Sequence, residues 1–79
     1  MHVLYISATG PLDATRASIP IHLAVNGSLE AGQQASLLLL GDGSQLIVGD
    51  TLNATTGVGI PAMAELVKKA RERELPIFV

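Results

Sequence analysis

The chain has 79 residues, a net charge of −2, 48% apolar and only 15% charged residues, so it is one domain (1–79) near the size where a single core needs outside help. The absence of cysteine rules out disulfides, thiolate nucleophiles and sulfur-ligated zinc, and two aromatics (Tyr5, Phe78) without a basic excess supply neither the field nor the stacking platform of a nucleic-acid binder. No run approaches the roughly 20 apolar residues of a membrane span, and Met1-His2-Val3-Leu4 has no export-signal character. A cytoplasmic protein without membrane contact is expected, and its apolar surplus points to self-association.

His2 to Ser7, HVLYIS, is strand-like and ends in the turn formers Ala8-Thr9-Gly10-Pro11. Asp13 stands where an N-cap belongs, and a helix is expected from about Ala14. Ala17, Pro20, Ile21, Ala24, Val25, Ser28 and Ala31 share its buried side, with Ser18, His22, Asn26 and Glu30 opposite. Pro20 removes an interior hydrogen bond and should kink this helix, while Gly32 suits its C-terminal stop. Asn26-Gly27 is a hairpin signal, but its flanks alternate poorly and the kinked helix is preferred. Ile19, Leu23 and Leu29 fall among the polar positions and, with His22, form a candidate subunit contact.

Ala35 to Gly43, ASLLLLGDG, is an apolar run that breaks into a Gly-Asp-Gly turn. Without alternation it reads as a strand buried on both faces. Ser44 to Val48 suits a short helical turn or an irregular segment, and Asp50 to Gly59 a flexible loop. A second helix follows, with Pro61 at its first position. Met63, Leu66, Val67, Ala70 and Glu74 lie on one side, and Glu65, Lys68, Lys69, Glu72 and Arg73 form a solvated face opposite. On that face Glu65–Lys69 and Lys68–Glu72 are spaced for ion pairs. Leu75-Pro76 ends the helix and Ile77-Phe78-Val79 starts a third strand.

These elements define an α/β fold: a three-layer-type parallel sheet in β-α-β-loop-α-β order, its first helix kinked at Pro20. The uniformly apolar second strand belongs in the centre, and right-handed crossovers then place both helices on one face. The other face would be bare unless a partner or further chain covered it. A flavodoxin-type order, with strand one central, would instead give one helix per face.

The segment Asp13 to Pro20, the turn Leu38-Leu39-Leu40-Gly41-Asp42-Gly43 and the ending Leu75-Pro76-Ile77-Phe78-Val79 together resemble the DsrE-like family. That resemblance implies a small, mainly parallel α/β protein of sulfur relay, homo-oligomeric, with this chain spanning the N-terminal part of the family domain and lacking its C-terminal strands. The family's sulfur-carrying cysteine commonly follows the third strand and has no counterpart up to Val79.

In such a fold the turns after the strands should converge at one sheet edge. Thr9, Gly10, Asp42, Gly43, Thr56, Gly57 and Gly59 are then candidate ligands for a small anion, held by backbone amides and helix N-termini. The competing reading is that the glycines merely satisfy tight turns. Gly57-Val58-Gly59-Ile60-Pro61-Ala62 matches a dinucleotide pattern but lacks the strand that should precede it. The carboxylates Asp13, Asp42 and Asp50 come from separate loops, no nucleophile is spaced to meet His22, and His2 and His22 show no metal spacing. No catalytic residue, metal or cofactor is assigned. Three functions remain open: a homo-oligomeric interaction module without sulfur transfer of its own, a small-anion or metabolite binder at the glycine-rich edge, and a truncated sulfurtransferase whose cysteine lies beyond Val79.

Overall fold

A computed structural model describes residues 2–48 and 51–79. Three strands, β1 (His2–Ser7), β2 (Gln34–Leu39) and β3 (Ile77–Phe78), form one parallel sheet in the order β1-β2-β3. Among the described residues three α-helices lie between them: α1 (Ala14–Leu23), α2 (Thr51–Ala54) and α3 (Met63–Glu72). The protein is a small α/β fold with β2 central, as its leucine run requires. Register pairs Ile6 with Leu38 and Leu38 with Phe78 across one face, and Leu37 with Tyr5 and Ile77 across the other.

The core sits on the second of these faces. Ala17, Ile21, Ala24 and Val25 from the α1 side and Met63, Leu66 and Ala70 from α3 pack over Ala35, Leu37 and Leu39. Both long helices therefore cover the same side of the sheet, the outcome of two right-handed crossovers. Of the three layers expected, two are present among the described residues. The leucine run is correspondingly buried on one face only: Leu37 and Leu39 are enclosed, Leu40 is exposed, and Leu38 is half-buried by its lateral neighbours Ile6 and Phe78.

Asp13 caps α1 as expected, its carboxylate accepting from the Arg16 amide at 3.2 Å. Pro20 leaves the Arg16 carbonyl without an in-helix donor, and the helix continues through it. The irregularity that follows is a π-helical turn over Ala24–Ser28, in which the Leu29 amide reaches the Ala24 carbonyl at 3.0 Å. Asn26 and Gly27 lie inside this turn, so they form no hairpin. The widened turn holds Ser28, buried, 2.6 Å from the Tyr5 hydroxyl of the sheet. Gly32 then reverses the chain at φ +78°.

Of the remaining expectations, the short helical turn near residues 44–48 is met and three others change. Gly41–Ile47 forms two turns of 3₁₀ helix, and Thr51–Ala54, expected in a flexible loop, is the short helix α2. Helix α3 starts at Met63, two residues after Pro61, with the Met63 amide bonded to the Thr55 carbonyl at 3.0 Å. It ends by the Leu75 amide returning to the Ala70 carbonyl at 2.8 Å, with Glu74 in the left-handed region at φ 56°. Ser18, placed on the polar stripe, is fully buried and donates to the Ala14 carbonyl at 2.7 Å, so its hydroxyl is satisfied within its own helix.

Candidate functional site

The loops expected to meet beyond the carboxyl ends of the strands do meet, through backbone. A Cβ on Gly43 would stand 2.0 Å from the Ser7 carbonyl oxygen, one on Gly10 2.8 Å from that of Asp42, and one on Gly57 2.9 Å from the Thr15 Cα. These three glycines let the chain approach itself. The Val58 amide donates to Thr15 Oγ1 at 3.0 Å, tying the third loop to the start of α1. Thr56 is exposed, and Gly59, at φ +70°, faces open space.

The hollow left beside this edge is lined by Thr9, Gly10, Leu12, Asp13, Asp42 and Gln45 among others. Its lining carries two carboxylates, Asp13, which pairs with Arg16 at 3.6 Å, and Asp42, and no cation of its own. Asp50, the third loop carboxylate, lies outside the described residues. The pattern Gly57–Ala62 follows α2 rather than a strand, so the strand-turn-helix that a dinucleotide needs is not formed. Among the described residues no group of three or more His, Cys, Asp or Glu side chains is placed to hold a metal ion.

A polar ladder that the helical wheel did not show joins the two long helices. The Asn26 amide donates to His22 Nδ1 at 3.0 Å and its carbonyl accepts from Lys69. Lys69 also pairs with Glu30 at 2.8 Å, and Arg73 reaches Glu30 at 3.2 Å and the Leu29 carbonyl at 3.1 Å. Lys69 and Arg73 thus turn inward across the helix seam, where the wheel had put a solvated face and a Glu65–Lys69 pair. The Lys69 ammonium, by hydrogen bond and by charge, holds the Glu30 carboxyl below its ordinary value, with Arg73 adding to the effect. His22 is occupied as an acceptor in this ladder. Of the other candidate contact residues, Leu29 packs half-buried against the core, while Ile19 and Leu23 stand outward on α1, 40% and 46% exposed.

Among the described residues the open face of the sheet is an unpartnered apolar surface. Leu4, Ile6, Leu40 and Phe78 are 53%, 51%, 53% and 56% exposed, and Leu38 lies between Ile6 and Phe78. Two polar members of this face meet, with His2 Nε2 2.8 Å from Ser36 Oγ. The signal was present in HVLYIS, which is apolar at both parities and therefore offers a second apolar face beside the one the helices cover.

A second concavity of about 170 Å³ lies on the covered side, between β2 and α3. Leu37, Leu39 and Met63 form its depth, and Ile47, Val67 and Arg71 border it. Fold and surfaces together define a small two-layer α/β domain with one bare apolar sheet face. No helix among the described residues is long and apolar enough to cross a membrane. No protein-family model, curated protein or solved structure matches the chain.

Proposed function

We propose that this protein is an interaction module that pairs with a second copy of itself through the open sheet face, in the manner of a DsrE-like sulfur-relay relative. It works in the cytoplasm, and this reading assigns no sulfur transfer to residues 1–79, which contain no cysteine. The observation that carries this reading is the apolar set Leu4, Ile6, Leu38, Leu40 and Phe78 on one face of a parallel sheet. Parallel sheets normally have both faces covered.

A second copy suits this face for three reasons. It carries no Asp, Glu, Lys or Arg, its His2 and Ser36 are already bonded to each other, and its one other polar residue, Gln34, lies at the start of β2 away from the apolar set, so nothing on it calls for an oppositely charged partner. It is a sheet face, and two sheets stack face to face at about 10 Å. β1 and β2, six residues each and about 4.8 Å apart, with the two-residue β3 beside them, give a platform on the order of 10 by 20 Å, wider at one end. With side-chain flanks, a self-contact would bury about 1,000 Å² or less in total, the size of a weak or transient interface. A reversible dimer that forms at micromolar concentration or above follows.

Sedimentation velocity over a concentration series tests this. The wild type should shift from monomer to dimer across the micromolar range, while Ile6→Lys stays monomeric with an unchanged far-ultraviolet spectrum. Leu40→Lys, beyond the paired residues of β2, serves as a second variant should Ile6→Lys unfold. A wild type that remains monomeric to millimolar concentration overturns the proposal, as does a dimer that both lysine variants leave intact.

A further inference from the structure

The concavity under α3 lies on the opposite side of the sheet from the open face, and its chemistry differs. Its depth is hydrocarbon: Leu37, Leu39 and Met63 are all nearly inaccessible in the closed core. Its border carries one cation, Arg71, which is exposed and forms no ion pair or side-chain hydrogen bond among the described residues. Its only other polar side chain is that of Ser7, whose hydroxyl hydrogen is directed to the Ala17 carbonyl at 3.3 Å. The neighbouring basic residues Lys69 and Arg73 are both committed to Glu30, and Lys68 of α3 is not among the residues that line the concavity. Of the lining residues Arg71 alone offers a cation to a charge from outside.

We propose that this concavity is a binding site for a small apolar monocarboxylate, its hydrocarbon body seated against Ile47, Val67 and Ile77 above the buried Met63 and Leu37, and its carboxylate on the Arg71 guanidinium. Size sets the class: about 170 Å³ compares with the roughly 150 Å³ of an apolar protein cavity known to take up benzene. The body is therefore a single ring or a branched chain of six to eight carbons. Charge sets the head group, because a guanidinium fork matches a carboxylate with two parallel hydrogen bonds. A phosphate would fit the fork but leave its second charge against an apolar wall. Apolar walls with one placed polar group are the usual make-up of a small-molecule site.

The test is a titration of isotope-labelled protein with benzoate, followed through the Met63 and Ile47 methyl signals, with benzyl alcohol as the uncharged probe of the same shape. Benzoate should give saturable shifts at both methyls and bind more tightly than benzyl alcohol. Arg71→Gln should weaken benzoate by about tenfold or more, since a charge-assisted hydrogen bond is at stake, and leave benzyl alcohol unchanged. Shifts that fail to saturate, equal binding of the two probes by the wild type, or benzoate affinity indifferent to Arg71→Gln would each overturn the assignment. Repeating the titration on Ile6→Lys keeps the outcome separate from self-association, because that residue lies on the far face of the sheet.

Discussion

Gly43→Ala is the sharpest test of how the loop edge is built. The added methyl would lie 2.0 Å from the Ser7 carbonyl oxygen and 2.9 Å from its carbon, against 3.4 Å or more for ordinary contact. Both partners are backbone, so no side chain can swing aside. The Ser7 carbonyl also accepts from the Leu40 amide at 3.0 Å, and the Gly43 amide donates to the Leu40 carbonyl at 3.0 Å. Moving the turn away by more than an ångström breaks this pair of bonds. Overpacking costs about 1–3 kcal/mol, and a buried carbonyl left unpaired costs about 1–3 kcal/mol more. The total, on the order of 3–5 kcal/mol, is set against a whole-domain stability of roughly 4–12 kcal/mol at this chain length.

Urea unfolding followed by circular dichroism measures the effect, at low protein concentration so that association contributes little. With a slope near 1 kcal/mol per molar, as expected for a small domain, the midpoint should fall by roughly 3 M or leave no folded baseline at all. Gly27→Ala is the control. Nothing lies within 4 Å of the position a Cβ would take there, and a helical glycine replaced by alanine gains about 0.5–1 kcal/mol. Should Gly43→Ala match the wild-type midpoint, the close crossing of the β1 and β2 loops is not a feature of the folded protein.

Two further outcomes follow from single residues. Glu74→Gly relieves a left-handed backbone held by a non-glycine residue and should stabilise the domain by about 0.5–1 kcal/mol; an unchanged or lower urea midpoint would contradict the helix ending described. Because Lys69 and Arg73 hold the Glu30 carboxyl below its ordinary value, its ionised form favours the folded state above the ordinary glutamate range, and that gain is lost as pH falls through the lowered native value. Glu30→Gln should therefore melt below the wild type at neutral pH, and the gap should close on acidification and shrink in high salt, since the group is half exposed. A gap of constant size into strong acid would exclude the ion pairs as its cause.

The architecture was largely legible because its strongest signals are one-dimensional. A leucine run, a capping Asp13 and an amphipathic helix ending before Pro76 are enough to place β2, α1 and α3. What was hidden depends on what crosses from one element to another. Helical projection sets Ser18, Asn26 and Glu30 on one outward stripe, but the π turn after Pro20 rotates the chain, and Asn26 and Glu30 face α3. Local spacing pairs Lys69 with Glu65, yet Glu30 across the seam at 2.8 Å is its partner. The glycine-rich edge showed the same limit: glycines that bind a ligand and glycines that admit another backbone look identical in sequence. Only the 2.0 Å and 2.8 Å approaches at Gly43 and Gly10 separate the two.

The open face links stability to association. A strand face that stands in water gains nothing from Leu4, Ile6 and Phe78, and polar residues there would keep a parallel sheet soluble without weakening its helix-covered side. If a second copy covers this face, only the folded state can present it, so mass action adds to the apparent stability as protein concentration rises. The melting temperature of the wild type should then climb with concentration, and that of Ile6→Lys should not. Since the lysine sits at a half-exposed position, the two proteins should converge toward similar melting temperatures at high dilution. A melting temperature that is flat with concentration for the wild type, or one that climbs equally in Ile6→Lys, would show that burial of this face does not link stability to concentration.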